Sequence, residues 1–343
     1  MDPISHAVLG QTLATALGRQ SSPVRARVVA GVLGALAPDV DAAVLMPFGW
    51  DVYLRAHEIG THSLAGSLPI AGSAALIARA FVRDTPVFDL FAAAWLGCLS
   101  HVALDVLSGA RIQIGWPLVP GRLSLPLVAM GDPWLLAIFV AGAVALAMSR
   151  RRPRATAVAL VGAVAAFLGV KAVLLAQALP PDRIVDHDPV LTRIVEARWG
   201  SLTKWLVLDR HADTLTQRLV EAGRPPILLL AWPIVPDSPL VRDSRSLGAV
   251  RNFLHVHELA FAGEVTAANG VRQVLWSDLR FCWRPSVGGG ETSPEPVLTA
   301  STPAGPARIA CGLWVGGAFD RSGRAVRQLV KVGGWRQTRA PER

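Results

Sequence analysis

Cysteine, tyrosine and charge are all scarce: the 343 residues include three cysteines and one tyrosine, and only 17% are charged. Cys98, Cys282 and Cys311 form no CxxC pair and no other zinc-finger spacing, which excludes a thiolate metal site of that kind. Cys98 lies in an apolar run and reads as a packing residue, whereas Cys282 and Cys311 can pair if their part of the chain sits in an oxidising compartment. There is no nucleophile elbow, no Walker loop, no dinucleotide fingerprint and no internal repeat. The opening residues MDPISHAVLG lack a basic n-region, so the first apolar stretch is expected to stay rather than act as a signal peptide. The net charge of +9 comes without a lysine/arginine stripe interleaved with aromatics, so no nucleic-acid partner is indicated.

What the chain has in excess is apolar sequence, 52% of it, concentrated before residue 180, with a mean hydropathy of +0.40. Six apolar stretches can be read there, at 4–17, 28–46, 63–82, 87–107, 134–148 and 155–179. A helical span needs about 20 apolar residues. The fourth and sixth stretches meet that length, and the second and third do so if Asp39 and Asp41 mark a helix end. The first and fifth are short, and the first pair can also form a shallow re-entrant hairpin. The expected fold is therefore mainly α: a transmembrane bundle of about four to six apolar helices over 1–180, then a smaller soluble α+β domain over 181–343. In that second part, β-like runs occur at 205–208, 273–283 and 308–319, a helix is expected near 247–262, and 288–305 reads as a flexible loop. Trp199, Trp205, Trp276, Trp283 and Trp314 are expected in its core or at a membrane interface.

The arginines sort the loops into two sides. Arg19, Arg25 and Arg27 follow the first stretch, Arg79 and Arg83 the third, and Arg150, Arg151, Arg152 and Arg154 the fifth. If every stretch crosses, these clusters share one side, which the positive-inside rule assigns to the cytoplasm. His6, Asp39, Asp41, His57, His62, His101 and Asp105 then fall together on the outer side, with the C-terminal part.

His101 and Asp105 stand four apart inside the run 90–107, so they share one helix face. Ionisable groups at membrane depth are costly and usually line a protein-enclosed polar site. Asp39 and Asp41 follow Pro38; in an extended segment residues two apart point the same way, so both carboxylates can face one cation. His57 and His62 bracket Gly60, which lets the backbone turn, and Thr61 or Ser63 can cap the next helix. Taken singly, His6 reads as an interfacial residue, APDVD as a helix end and HEIGTHS as a polar turn; only their joint placement points to a ligand set. A set of imidazoles and carboxylates without thiolate suits a divalent metal, zinc first, with manganese or iron(II) as alternatives. His62, His101 and Asp105 are the first-choice ligands and His6 and Asp39 the next, while Asp41 and His57 serve a second ion or support the ligands. Glu58 is a candidate general base, and Arg111 and Arg122, on the Pro/Gly-rich connection 108–132, can hold an anionic substrate group. His255, His257 and Glu258 read as surface or packing residues, and His187 and His211 as lone histidines.

MDPISHAVLG, GALAPDVD, HEIGTHS and LGCLSHVALDVLSG with its following WPL segment resemble the YdjM-like membrane-bound metal-dependent hydrolases, over about the first 135 residues. WSDLRF, at 276–281, resembles the accessory domain of some members. The resemblance implies a bacterial inner-membrane protein with metal-dependent hydrolase activity at His6, Asp39, Asp41, His57, His62, His101 and Asp105. The order His, Asp, His, His-x-x-x-Asp is also similar to zinc-dependent phospholipase C and the S1/P1-type nucleases, which implies phosphoester chemistry. Glu58 departs from the basic residue usual in the family, and no later histidine and glutamate complete a third zinc site, so a mono- or dinuclear centre is implied. The expected function is hydrolysis of a phosphoester or related bond in a lipid or small envelope-derived substrate. The alternative is a non-catalytic membrane metal-binding or transport protein, which would need polar residues on the cytoplasmic half of its helices.

Overall fold

The computed structural model describes the chain except residues 19–21, 58, 150, 180–189, 235–236, 267–269, 284–296, 303–304, 321, 333–334 and 340–343. α1 (Pro3–Leu17) begins where the Asp2 carboxylate accepts the Ser5 amide proton and Pro3 fills the first turn. α2 (Val24–Leu36) runs back along it and then bends by 46° into a short α3 (Val40–Leu45). Pro38 explains the break, because it has no amide proton for the Gly34 carbonyl; the Cys98 thiol donates to that oxygen instead, at 3.2 Å. A further short helix, α4 (Trp50–Ala56), leads to α5 (Leu64–Phe81), which Ser63 caps by accepting the Gly66 amide at 2.9 Å. α6 (Val87–Leu107), α7 (Pro133–Met148, capped by Asp132) and α8 (Pro153–Ala178) complete the helical half.

α6 is the centre of the bundle, packed on α1, α2 and α5. Glycines let the backbones touch: a Cβ at Gly97 would lie 2.2 Å from the Gly31 carbonyl oxygen, and one at Gly34 2.0 Å from that of Ala94. The outward faces carry exposed Leu76, Ile77 and Phe81 on α5, Val140 and Val144 on α7, and Val158 and Val170 on α8. Among the described residues three helices (α5, α6, α8) are long and apolar enough to cross a membrane, and the bent α2–α3 pair makes a fourth if it is one broken span. That is the lower end of the expected four to six, because α1 and α7 have 15 and 16 residues, short of the roughly 20 a span needs.

Both ends of the bundle are polar, in different ways. At one end Arg27 is buried beside Arg154, whose Nε donates to the Ala16 carbonyl at 3.0 Å; Arg79 donates to the Thr85 carbonyl at 2.9 Å, and Ser22 bonds Asp89. The other end gathers the start of α1, the end of α2, the start of α5 and the end of α6.

The C-terminal part is built of antiparallel sheets. β1 (Thr192–Ala197), β2 (Lys204–Arg210), β3 (Thr214–Glu221) and β4 (Ile227–Pro233) form a four-stranded meander. β5 (Ala260–Thr266), β6 (Arg272–Asp278), β10 (Leu313–Phe319), β11 (Ala325–Val332) and β12 (Trp335–Arg339) form a five-stranded sheet in the order β12-β11-β10-β6-β5. β7 (Cys282–Trp283), β8 (Val297–Thr302) and β9 (Gly305–Cys311) form the third, where Cys282 faces Cys311 and the two are disulfide-bonded. The two helices, α9 (Pro239–Ser244) and α10 (Gly248–Val256), are short, so the domain is more β than the expected α+β layout. The helix expected over 247–262 stops at Val256 and β5 begins at Ala260; of the loop expected over 288–305, residues 297–302 are β8, while 288–296 and 303–304 lie outside the described residues. Trp205, Trp276 and Trp314 are core residues, while Trp199 and Trp283 are exposed.

The two halves share a core: Trp205, Val207 and Val220 pack with Phe139, Leu160 and Leu175 of α7 and α8. Polar contacts lock the joint. Trp134 Nε1 donates to the Gly200 carbonyl at 3.1 Å and Trp199 Nε1 to that of Gly131 at 3.0 Å. Lys171, buried on α8, donates to the carbonyls of Ser201 and Leu202 at 3.2 and 3.1 Å and lies over the Trp205 ring.

Candidate metal centre

Each element delivers its polar side chain at an end. His6 lies in the first turn of α1, Asp39 is the residue before α3, His62 precedes the Ser63 cap of α5, and His101 and Asp105 occupy the last two turns of α6. His62 Nε2 and His101 Nε2 approach to 3.0 Å. Asp39 Oδ1 lies 3.4 Å from each of them, and Asp105 Oδ2 lies 3.0 Å from His101 Nε2 and 3.5 Å from His62 Nε2. Bonds of about 2.0–2.1 Å to a tetrahedral zinc hold its ligand atoms about 3.3–3.4 Å apart. The observed separations, 3.0 to 3.5 Å, lie around that spacing.

The tautomers strengthen the fit. His101 Nδ1 donates to the Ala35 carbonyl at 2.7 Å, which in the neutral ring leaves a lone pair on Nε2. The Thr61 hydroxyl gives its proton to Asp41 Oδ2 at 2.6 Å, so it accepts from His62 Nδ1 at 2.9 Å, and His62 Nε2 is likewise unprotonated. Two imidazole nitrogens 3.0 Å apart, ringed by carboxylates, call for a proton or a metal cation between them.

His6 stacks on His101 with ring centroids 3.8 Å apart, and its Nε2 lies 3.3 Å from Asp105 Oδ1. Neither ring nitrogen of this buried imidazole has a hydrogen bond of good geometry. Leaving a buried polar group unpaired costs about 1–3 kcal/mol, which a cation at Nε2 offsets. Asp105 thus faces two ways, Oδ1 to His6 and to the α-amino nitrogen at 2.5 Å, Oδ2 to His62 and His101. Among the described residues two overlapping three-ligand groups are found, His6/His101/Asp105 and Asp39/His62/His101.

Asp41 and His57 stand outside both groups and bind each other, Asp41 Oδ1 to His57 Nδ1 at 2.7 Å. The extended geometry expected for Asp39 and Asp41 is not found. Asp39 has helical dihedrals and Asp41 lies in the first turn of α3, so the two carboxylates diverge, one to the imidazole pair and one to His57 and Thr61. Gly60 is not among the positive-φ glycines; the Trp116 ring lies over it, 3.5 Å from where a Cβ would stand. Glu58 lies outside the described residues.

Next to this centre a cavity of about 390 Å³ opens between the helix ends and the sheet domain. His57, Arg111 and Arg122 line it from the helical side, and Glu196, His257 and Arg280 from the other. Arg111 pairs with Glu258 across the joint at 2.8 Å. Of the surface and packing alternatives, His257 takes the second: it is buried and stacks on Phe253, and its Nδ1 lies 2.6 Å from Arg280 Nη2. Arg280 grips Asp278 with two bonds of 3.0 and 3.1 Å. Burial, aided by the Arg280 charge and opposed by Asp278, pushes the His257 pKa down. Burial raises the Asp278 carboxyl, but His257 and Arg280 outweigh it and hold it well below the usual carboxylate range. Burial pushes Glu196 up against the opposing charge of Arg280.

Sequence reasoning did not anticipate Thr61, the Ala35 carbonyl or the cavity wall formed by Glu196, His257 and Arg280. HVHE and WSDLRF contain two of those wall residues, but only the fold of the sheet domain brings them to the helix ends.

Comparison with curated proteins and with solved structures gives no match to this chain. A family model described as YdjM inner membrane protein matches residues 1–178, the whole helical half up to the end of α8, and the chain belongs to the YdjM inner membrane protein family.

Proposed function

We propose that this inner-membrane protein is a metal-dependent hydrolase that cleaves a phosphoester or related bond in a lipid or small envelope-derived substrate. The observation that carries the reading is the pair of Nε2 atoms of His62 and His101, set 3.0 Å apart against Asp39 and Asp105. Asp39, His62 and His101 would hold one ion, and His6, His101 and Asp105 form the overlapping group on the other side of His101. When bound, a divalent ion, zinc by first choice, supplies Lewis acidity and a water acidified towards neutral pH. Asp41 fixes the tautomer of His57 at the cavity edge, where its imidazole can take or return a proton. Arg111 and Arg122 line the same cavity and suit an anionic substrate group. The gathering of arginines at the opposite end of the bundle supports placing this centre on the outer, periplasmic side.

The test is metal analysis of the detergent-purified chain beside His101→Ala and Asp105→Ala, followed by a phosphoester screen. The wild type should carry stoichiometric divalent metal and hydrolyse a phosphoester, and both variants should lose metal and activity together. Stoichiometric metal in His101→Ala overturns the ligand assignment. Metal without turnover of any phosphoester removes the catalytic reading and leaves a metal-binding protein.

A further inference from the structure

We infer that the cavity between the helix ends and the sheet domain is an oxyanion pocket, and that the sheet domain supplies its recognising wall through His257 and Arg280. The identification of that oxyanion as the substrate's phosphate-type group rests on the hydrolase reading; the pocket itself does not.

A guanidinium can only donate, so the 2.6 Å contact from Arg280 Nη2 makes His257 Nδ1 the acceptor. The proton of the neutral ring is then on Nε2. That atom is buried and has no hydrogen-bond partner, although His257 lines the cavity and is only 7% exposed. A buried N–H without an acceptor is costly, and a ligand oxygen seated against His257 would supply one. Asp278 accepts from Arg280 and keeps the guanidinium against His257, its own Oδ2 lying 3.3 Å from His257 Nδ1.

The charge of the walls selects the ligand. Among the described lining residues there are four arginines, Arg55, Arg111, Arg122 and Arg280, and one glutamate, Glu196, which burial biases towards its neutral form. Glu258 answers Arg111 and Asp278 answers Arg280, but Arg55 donates to a neutral amide oxygen, that of Asn252, at 3.0 Å. A cation is repelled by such walls, and an oxyanion is matched. Ile59, Met130 and Phe281 give the same cavity an apolar side for the remainder of an amphiphilic ligand. His57 joins the pocket to the metal centre, its ring centroid 5.3 Å from that of His62.

The experiment is calorimetric titration of inorganic phosphate and of phenyl phosphate into the full chain in detergent, stripped of metal with a chelator. Wild type should bind both saturably without metal. His257→Phe keeps the stacking on Phe253 and deletes the donor, and should weaken binding about tenfold or more. His257→Gln restores an N–H near the position of Nε2 and should recover most of the affinity, and the exposed His255→Phe should bind like wild type. Absence of saturable binding to wild type overturns the pocket, as does undiminished binding to a His257→Phe variant with a native near-ultraviolet spectrum. If that variant does not fold, Arg122→Gln decides: undiminished binding there overturns the pocket equally. Phosphate binding without hydrolysis after zinc is restored removes the hydrolase reading alone; hydrolysis with unchanged KM in His257→Phe removes the pocket alone.

Discussion

The proton of the Thr61 hydroxyl decides which nitrogen of His62 is available. Because that proton goes to Asp41, Thr61 accepts from Nδ1 and frees Nε2 for a cation. Thr61→Val removes the acceptor and lets the ring flip or change tautomer, so metal affinity should fall about 10–100-fold, as for other residues that support metal ligands. Thr61→Ser should stay near wild type. A competition titration with a chromophoric chelator measures both, and equal affinity in Thr61→Val would show that the relay has no part. In the sheet domain the residue-scale consequence is a pH dependence. The folded pKa of His257 is below its unfolded value near 6.5, so the unfolded chain binds the proton more readily and stability falls as pH drops through that value. Asp278 has the same slope at lower pH, its share being present above the unfolded value near 4 and lost as pH falls further. Thermal melts at pH 7.5 and 5.5 should therefore separate more for wild type than for His257→Phe; an unchanged separation would count against a neutral, buried His257. At this scale His101 and Asp105 were legible because a spacing of four on an apolar helix fixes a shared face, whereas Thr61 and the Ala35 carbonyl gain their roles only through contacts between elements.

The relation between α2 and α6 matters more to the centre than any single contact, since one ends beside Asp39 and the other carries His101 and Asp105. Their approach depends on glycine: Gly97 presses the Gly31 carbonyl and Gly34 presses Ala94. Gly97→Leu should force the helices apart, cost about 1–3 kcal/mol or more as overpacking does, and release metal without touching a ligand. Gly162→Ala on α8, where a Cβ meets nothing within 4 Å, should leave metal content unchanged and hold or raise the melting temperature. Metal analysis and thermal melts of the pair check this; full metal in Gly97→Leu would mean that the centre does not depend on that packing. The long helices were legible from their apolar runs. α4 was not, because seven residues of mixed character (WDVYLRA) carry no periodic signal and are held by packing on α10. The helix expected over 247–262 stops early because a helical period cannot be told from a strand over so few residues, and pairing with β6 claims the segment from Ala260.

For the whole molecule, the division into an apolar helical half and a polar sheet half was legible from composition, and the gathering of arginines opposite the histidines was legible from loop order. The joint between the halves was not, because Lys171, Trp199 and Trp205 act there through partners more than 25 residues away in sequence. That joint ties the orientation of the sheet domain to the orientation of the metal centre. If the arginine end faces the cytoplasm, the sheets lie in an oxidising space, and the bond between Cys282 and Cys311 forms in cells. Cys98, buried in the bundle, remains a thiol. Acid-quenched cells, alkylated under denaturing conditions before reduction, should therefore yield a chain with one modified cysteine, and two more should react only after reduction. The mass of the alkylated protein reads the count directly. Three thiols modified before reduction would place the sheet domain on the reducing side, and with it the cavity and the metal centre, so the envelope-facing substrate would have to be given up even if the ligand set survived.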